Sequence, residues 1–253
     1  MKLIYLIISF MMFGNFCGSA QTIKFSDPQF KRELLTQGFD LNSNDEIEVS
    51  EAEKIEVLYV KNQGIESVDG IEEFKNLKEF GCYNNNIKSL DLTALQKLQF
   101  LYAYDNNLEK VQINGLKELK HIFLQNNPNL YINIDFKQYA DLEEIWVDNT
   151  RCPILDVSNL KSLKEIHATD CQLKQINVDS CINLKSLWLD KNQLTEADFK
   201  QLESIEYITL SYNPISKINI KFLKNLIHFS CLDCSRLKQI NTSGCENLEP
   251  ILW

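Results

Sequence analysis

Apolar residues recur in a fixed order along most of this chain. In the stretch 184–194, leucines stand at 184, 187, 189 and 194, and Asn192 lies between the last two. These steps fit neither the helical period of about 3.6 nor the strand period of about two. They predict a short strand in which Leu187 and Leu189 point inward, followed by a tight turn in which the Asn192 side chain bonds backbone groups.

The same pattern returns along the chain, usually after 21 residues. Copies begin at residues 77, 98, 119, 142, 163, 184, 205, 226 and 248, and an irregular first copy begins at Ile55. One such coil cannot bury its apolar face alone, whereas stacked coils share a continuous core. We expect strands at roughly the third to seventh residue of each coil. A second apolar pair, such as Leu90 and Leu92, marks the convex segment that leads from one strand back to the next. We expect short helical turns or extended segments there.

The order L-x-x-L-x-L-x-x-N/C-x-L is that of the leucine-rich repeat, whose length is roughly 20–29 residues. The chain resembles bacterial secreted leucine-rich-repeat proteins of the internalin-like type over about residues 55–253. The resemblance implies an α/β solenoid, a horseshoe with a parallel concave β-sheet, short helical or extended convex segments and a small helical N-terminal cap. Such proteins act in adhesion and cell-surface contact, so the resemblance implies recognition without identifying a partner.

Three regions are predicted. Residues 1–20 read as a secretory signal peptide, with Lys2 before an apolar run and Gly18-Ser19-Ala20 as a small-residue cleavage site. Residues 21–54 form a helical cap and residues 55–253 the repeat domain. The signal predicts a secreted or cell-surface protein, and its apolar core is too short for membrane insertion.

The cap combines a helix with a calcium-loop pattern. Ser26 or Asp27 can cap the helix, Pro28 suits its first turn, and Phe30, Leu34 and Leu35 would be buried. The segment 40–51 follows the order of an EF-hand loop. Its candidate calcium ligands are Asp40, Asn42, Asn44, Glu46 and Glu51, and Glu48 lies at the ninth position of the loop. Asp45 occupies the sixth position, where such loops carry glycine, so the alternative is a polar turn that only caps the solenoid.

Charge and cysteine content narrow the function further. The net charge is −9, and loss of Lys2 with the signal takes it to −10, which argues against nucleic acid and anionic membranes. Seven of the eight cysteines would remain, at apolar or turn positions where a thiol acts as a small hydrophobe. Export permits disulfides, and Cys152 with Cys171 on adjoining coils is the first candidate pair. His228, Cys231 and Cys234 point to different sides of the strand, so zinc binding is not expected.

Residues between the inward leucines face the concave surface, because strand side chains alternate. The central outward column is rich in aromatic residues, which mark interaction surfaces, and acids border it. The predicted ligand-binding residues are Tyr83, Tyr102, Tyr104, Phe123, Glu144, Trp146, Asp148, His167, Trp188 and Asp190. We expect a non-catalytic module that binds a protein or peptide. The alternatives are a glycan-binding module that uses the same aromatic stripe and a structural scaffold that assembles through an open C-terminal sheet edge.

Overall fold

The computed structural model of the protein describes residues 21–251. The predicted signal peptide at 1–20 lies outside these residues, and so does Trp253 of the repeat copy that begins at residue 248. Within 21–251, no helix combines the length and the apolar character needed to cross a membrane.

A single parallel sheet of nine strands forms the concave side of a solenoid, with one strand per coil. The strands are Val57–Tyr59, Glu79–Gly81, Phe100–Tyr102, His121–Phe123, Glu144–Trp146, Glu165–His167, Ser186–Trp188, Tyr207–Thr209 and His228–Ser230. Their middle residues, such as Leu187, point inward and are fully buried. Each strand is three residues long, shorter than the expected five. It ends early because a residue in the left-handed conformation follows closely, such as Asn84 (φ 56°). Hydrogen bonds between coils nevertheless continue to that turn, as from Asn84 N to Tyr104 O at 3.2 Å.

Buried asparagines at this turn join each coil to the one before it. Asn106 Nδ2 donates to Cys82 O of the preceding coil at 3.0 Å, and its Oδ1 accepts from Ile87 N at 3.1 Å. Equivalent contacts are made by the remaining asparagines of the position, Asn85, Asn127, Asn192 and Asn213. Each of these asparagines therefore stabilises its own turn, as the sequence predicts, and also fixes the spacing between neighbouring coils, which the sequence does not predict.

The cysteines are inward, but their pairing differs from expectation. Cys152 and Cys171 are separate buried thiols, and the one disulfide among residues 21–251 joins Cys231 to Cys234. The Cys171 thiol donates to Val147 O at 2.9 Å, in the manner of a turn asparagine, so it is directed to a backbone carbonyl rather than to Cys152. Burial raises the pKa of both free thiols to about 12, so they stay neutral members of the core.

The convex side is extended rather than helical. Short parallel pairs join Ser89–Asp91 to Lys110–Gln112, Ile154–Asp156 to Gln175–Asn177, and Glu196–Asp198 to Lys217–Asn219. Two 3-10 helices, Ile71–Glu73 and Phe136–Gln138, complete it. The coil that begins at residue 119 is 23 residues long rather than 21. Its extra residues lie at the rim after the concave turn, where Arg151 Nε donates to Pro128 O at 3.1 Å.

Two helices cover the N-terminal end of the core. The helix Pro28–Thr36 begins with Asp27 as N-cap, and buries Phe30 and Leu34 fully and Leu35 in part. The second helix, Val49–Ala52, is a single turn, as the short distance to the first strand predicts. The other end is covered less completely, because Leu237, Ile240, Leu248 and Ile251 are only partly buried. Leu248 and Ile251 of the copy that begins at residue 248 thus pack only partly on the core, and the strand His228–Ser230 is the last of the sheet.

Candidate functional site

The central outward column of the concave sheet carries six rings in close contact. We call this set the aromatic ladder: Tyr59, Tyr102, Phe123, Trp146, His167 and Trp188. The parallel register places Phe123 beside Trp146, Trp146 beside His167, and His167 beside Trp188. The corresponding ring centroids are 4.5, 4.3 and 5.5 Å apart, with interplanar angles of 17°, 33° and 20°. The predicted stripe is therefore a stack from Phe123 to Trp188, and Tyr102 meets Phe123 edge to face at 5.2 Å and 75°.

Gly81 interrupts the column in sequence but not in space. The Tyr59 ring occupies the place of a Gly81 side chain, since a Cβ there would lie 2.3 Å from Tyr59 Cδ1. This position lets Tyr59 approach Tyr102 across the intervening strand, with centroids 6.1 Å apart and planes at 18°. The absence of a side chain at Gly81 thus extends the ladder to the first coil, and Tyr59 joins the candidate site.

The ladder has side rows toward its N-terminal half. Tyr83 and Tyr104 stack at 4.5 Å and 10° on one side, while Phe100 and His121 meet edge to face at 4.9 Å on the other. The predicted Tyr83 and Tyr104 are therefore brought together beside the ladder. The aromatic surface is broadest over these coils and narrows to one ring per coil toward Trp188.

Stacking decides which part of each ring meets solvent. Rings from Phe123 to Trp188 stack along the direction in which strands succeed one another, so both faces of Trp146 and of His167 are covered by neighbouring rings. Their edges point away from the sheet. An aromatic edge carries the positive part of the ring quadrupole, whereas the negative face is what stacks on cations. The interior of the ladder therefore offers edges rather than faces to a ligand.

Two indole groups of the ladder lack a hydrogen-bond partner. Among residues 21–251, the buried side-chain polar atoms without a partner are Trp146 Nε1, Trp188 Nε1 and Gln125 Oε1, and all three lie on the concave face. A buried donor without a partner costs about 1–3 kcal/mol. Phenylalanine fills the same column at Phe123 without this cost. Stacking in the column therefore does not require the two indole N–H groups.

The predicted acidic border is present, but its carboxylates are engaged. Asp148 accepts from Thr169 N at 2.7 Å, and Asp190 accepts from Ser211 N at 2.6 Å, so both brace the next coil. Burial raises the pKa of Asp148, although the hydrogen bond from Thr169 opposes it. Sequence analysis predicts these acids as ligand-binding residues, because the repeat spacing does not show which side chains hydrogen-bond to the backbone of the next coil.

The acids on the other side of the ladder contact histidines. Glu165 lies 2.6 Å from His167 Nε2, and Glu144 lies 3.9 Å from His121 Nε2. One cation lies over the side row, Lys61, whose Nζ is 5.6 Å from the centre of the Tyr83 ring. The concave face is therefore predominantly acidic. Farther out, Lys–Glu pairs line the rim, namely Lys78–Glu56, Lys164–Glu143 and Lys185–Glu206.

The calcium-loop residues form a closed hydrogen-bonded turn. Asp40 accepts from Asn44 N at 3.2 Å and from Asp45 N at 2.9 Å. Asp45 has a φ of 62°, the left-handed conformation for which such loops favour glycine. Asn42 and Asn44 donate their side-chain amides to Glu48.

Two carboxylates of this loop are buried. Glu51 accepts from Leu41 N at 2.7 Å and from Glu48 N at 3.0 Å, and Glu48 and Glu51 are both largely buried. No group of three or more His, Cys, Asp or Glu side chains within 21–251 is arranged to hold a metal. A cation here would therefore depend on amide and backbone oxygens, including those of Asn42, Asn44 and Glu46. It would fit only if both asparagines turned their oxygens toward it.

Comparison with known proteins supports the fold. No family model matches the sequence, and no curated protein matches it. Among solved structures, internalin C2 from Listeria monocytogenes matches with a TM-score of 0.63 and 22% identity over 81% of this chain and 93% of its own. The functional domain of InlJ from Listeria monocytogenes, described as including a cysteine ladder, matches with a TM-score of 0.53 and 20% identity over 82% of this chain and 58% of its own.

A receptor ectodomain is a third structural neighbour. The leucine-rich-repeat ectodomain of the plant receptor kinase GASSHO1/SCHENGEN3 from Arabidopsis thaliana, in complex with CASPARIAN STRIP INTEGRITY FACTOR 2, matches with a TM-score of 0.53 and 20% identity over 73% of this chain and 26% of its own. The chain is therefore a leucine-rich-repeat solenoid of the kind seen in internalins. The predicted internalin-like fold is confirmed.

Proposed function

We propose that this protein is a non-catalytic recognition module that binds a protein or peptide segment across the aromatic ladder. The observation that carries the proposal is the pair of tryptophans whose buried indole N–H groups have no partner. Their position is unfavourable for stability and favourable for binding, since tryptophan and tyrosine are the commonest hot-spot residues at interfaces. A plant ectodomain of the same fold is known in complex with another molecule, which adds support from fold alone.

The stacking geometry favours a polypeptide over a glycan. Sugars bind aromatic side chains by lying on an exposed ring face, and the inner faces of the ladder are covered by other rings. The ring edges instead suit apolar side chains and carbonyl oxygens, both of which a polypeptide provides. The acidic surroundings favour a basic or amphipathic segment and disfavour nucleic acid.

The signal-like segment 1–20 supports export, so we place the recognition event outside the cytoplasm or at the cell surface. Assembly through the last strand is the second alternative. It is favoured by the partly buried residues Leu237, Ile240 and Leu248 beside that strand. Light scattering at high protein concentration distinguishes it, because assembly requires a mass above that of the monomer.

We also propose that the loop 40–51 binds one calcium ion weakly and that this ion only stabilises the cap. The proposal rests on Glu48 and Glu51, two buried carboxylates in one turn, whose mutual repulsion a cation would relieve. Asp40, the Glu46 carbonyl and the side-chain oxygens of Asn42 and Asn44, once turned toward the ion, would complete the ligands. Ca²⁺ binding would compete with the hydrogen bonds that Asn42 and Asn44 now donate, so we expect affinity at the weak end for such loops.

Selection from a peptide library displayed on phage tests the main proposal. Peptides that bind the wild-type protein should lose binding when Trp146→Ala and Trp188→Ala are combined. Tyr131→Ala is the matched control, because Tyr131 is an exposed aromatic at the rim, away from the ladder. Selected peptides that bind the double variant as tightly as the wild type would refute binding at the ladder, and a glycan array tests the alternative ligand.

A further inference from the structure

Trp188, at the end of the aromatic ladder, has fewer ring neighbours than the residues inside it. Trp146 has a ring on both sides, Phe123 at 4.5 Å and His167 at 4.3 Å. Within residues 21–251, Trp188 contacts one ring only, His167 at 5.5 Å. The register continues the column to Thr209 on the next strand, whose side chain is too short to form another rung. The second face of the Trp188 indole is therefore without an aromatic neighbour.

The surface beyond Trp188 has room for one more planar group at the next position of the ladder. Thr209 and Ser230 follow in the central column and are only 5% and 8% exposed, so they form a flat floor. Tyr207 and Leu232 stand in the adjoining outward columns and are 37% and 41% exposed. We call these four residues and Trp188 the Trp188 shelf. It combines an indole face that has no aromatic neighbour with one exposed side chain on each side of the floor, Tyr207 and Leu232.

The hydroxyl groups of the floor do not need a ligand. Ser211 and Ser230 share a hydrogen bond at 2.8 Å, and the Thr209 hydroxyl donates to Asp190. The shelf therefore selects an occupant by shape, stacking and charge rather than by hydrogen bonds to the floor.

Charge identifies the occupant. The outward columns from the strand His121–Phe123 to the strand His228–Ser230 contain four acids, three histidines and no lysine or arginine. The acids are Glu144, Asp148, Glu165 and Asp190. A positively charged group is favoured there over a neutral aromatic ring, which would use the indole face but not the surrounding negative potential.

We propose that the Trp188 shelf receives an arginine side chain of the partner, with the planar guanidinium stacked on the free face of the Trp188 indole as the next rung. The inference rests on the proposed function and names the partner's chemistry at one end of that site. Guanidinium is planar, weakly hydrated and stacks on aromatic faces, whereas the compact, strongly hydrated ammonium of lysine does not fit a rung.

Two-dimensional NMR of the indole N–H groups tests the proposal without knowledge of the partner. Trp253→Phe leaves two indole signals, from Trp146 and Trp188, and Trp188→Phe assigns them. The probes are N-acetyl-arginine amide, its neutral isostere N-acetyl-citrulline amide, and N-acetyl-lysine amide. We expect a saturable shift of the Trp188 signal with arginine that is at least about fivefold larger than with citrulline or lysine. The doubly covered Trp146 is the internal control and should not shift.

A blocking variant completes the test. Thr209→Trp adds a ring of the chain's own at the next position and should abolish the Trp188 shift. An unmoved Trp188 signal in the wild-type titration, equal shifts of Trp146 and Trp188, or equal effects of arginine and citrulline would overturn the proposal, whether or not the variant folds. If selected peptides need Trp146 and Trp188 but bind Thr209→Trp as well as wild type, the ladder binds a partner and the arginine shelf is wrong.

Discussion

Replacing Asn192 by alanine should lower the stability of the solenoid by about 4 kcal/mol, near the upper end of single-residue effects. The Asn192 amide donates to Ala168 O at 2.6 Å in the preceding coil and to Leu189 O at 2.9 Å in its own. Its carbonyl oxygen accepts from Cys171 N at 3.0 Å and Leu173 N at 2.9 Å. One side chain thus satisfies backbone groups of two coils in the dry core.

The magnitude follows from the groups that would lose a partner. Leu189 O keeps a donor, because Asn213 Nδ2 also lies 2.8 Å from it. Asp190 O, which accepts from Asn192 at 3.1 Å, keeps Asp170 N at 3.0 Å. Three groups remain, the N–H groups of Cys171 and Leu173 and the carbonyl of Ala168. At about 1–3 kcal/mol for each buried unpaired group, and with partial relaxation of the turn, the total is about 4 kcal/mol.

Asn192→Cys is the matched variant, because a cysteine fills the same position at Cys171 and donates to Val147 O. It should recover about 1 kcal/mol of the loss by restoring one donor, but it cannot accept the two N–H groups. Urea unfolding followed by circular dichroism measures both variants. A loss below about 1 kcal/mol for Asn192→Ala, or no difference between alanine and cysteine, would refute the assignment of the coil-to-coil bonds to this side chain.

Four further predictions concern the ladder and the cap. Trp146→Phe should leave the free energy of unfolding unchanged or raise it by about 1 kcal/mol, because it removes an unpaired N–H; a loss above about 2 kcal/mol in urea unfolding would contradict this. Gly81→Ala should destabilise by about 1–2 kcal/mol by displacing the Tyr59 ring, and a double-mutant cycle should show no such effect in Tyr59→Ala. Burial alone would raise the pKa of Asp27, but hydrogen bonds from Glu66 N and three other backbone N–H groups lower this pKa below 3.8. The stability that Asp27 contributes is therefore complete above its unfolded-state pKa and is lost as the pH falls through its folded-state pKa. Acid unfolding of Asp27→Asn should accordingly be less steep than that of the wild type, and an unchanged profile would argue against the link. Millimolar Ca²⁺ should raise the melting temperature of the wild type but not of Asp40→Ala, and equal responses would reject the calcium proposal.

The repeat pattern predicts the core almost residue by residue. Residues such as Leu187, Leu189 and Leu194 are fully buried as expected, since one stacking solution fits a 21-residue period of apolar positions. The outward columns follow equally directly, because alternation along a strand leaves two directions only. The sequence therefore predicts which side chains share the concave face.

What the sequence misses depends on side-chain orientation and on contacts between coils. The Tyr59 ring above Gly81 follows from a rotamer, and so do the covered ring faces that disfavour a glycan. Asp148 and Asp190 bond the backbone of the next coil, which no spacing rule shows. The Cys231–Cys234 disulfide lies within one coil, whereas the sequence directed attention to cysteines on adjoining coils.

The central claim is that a polypeptide partner binds across the aromatic ladder, and titration calorimetry of a selected peptide tests it most directly. Combining Trp146→Ala with Trp188→Ala should weaken binding by at least about 100-fold, since two hot-spot side chains are removed. Tyr131→Ala should leave the affinity unchanged. Equal affinity of the wild type and the double variant, with both folded by circular dichroism, would contradict the account.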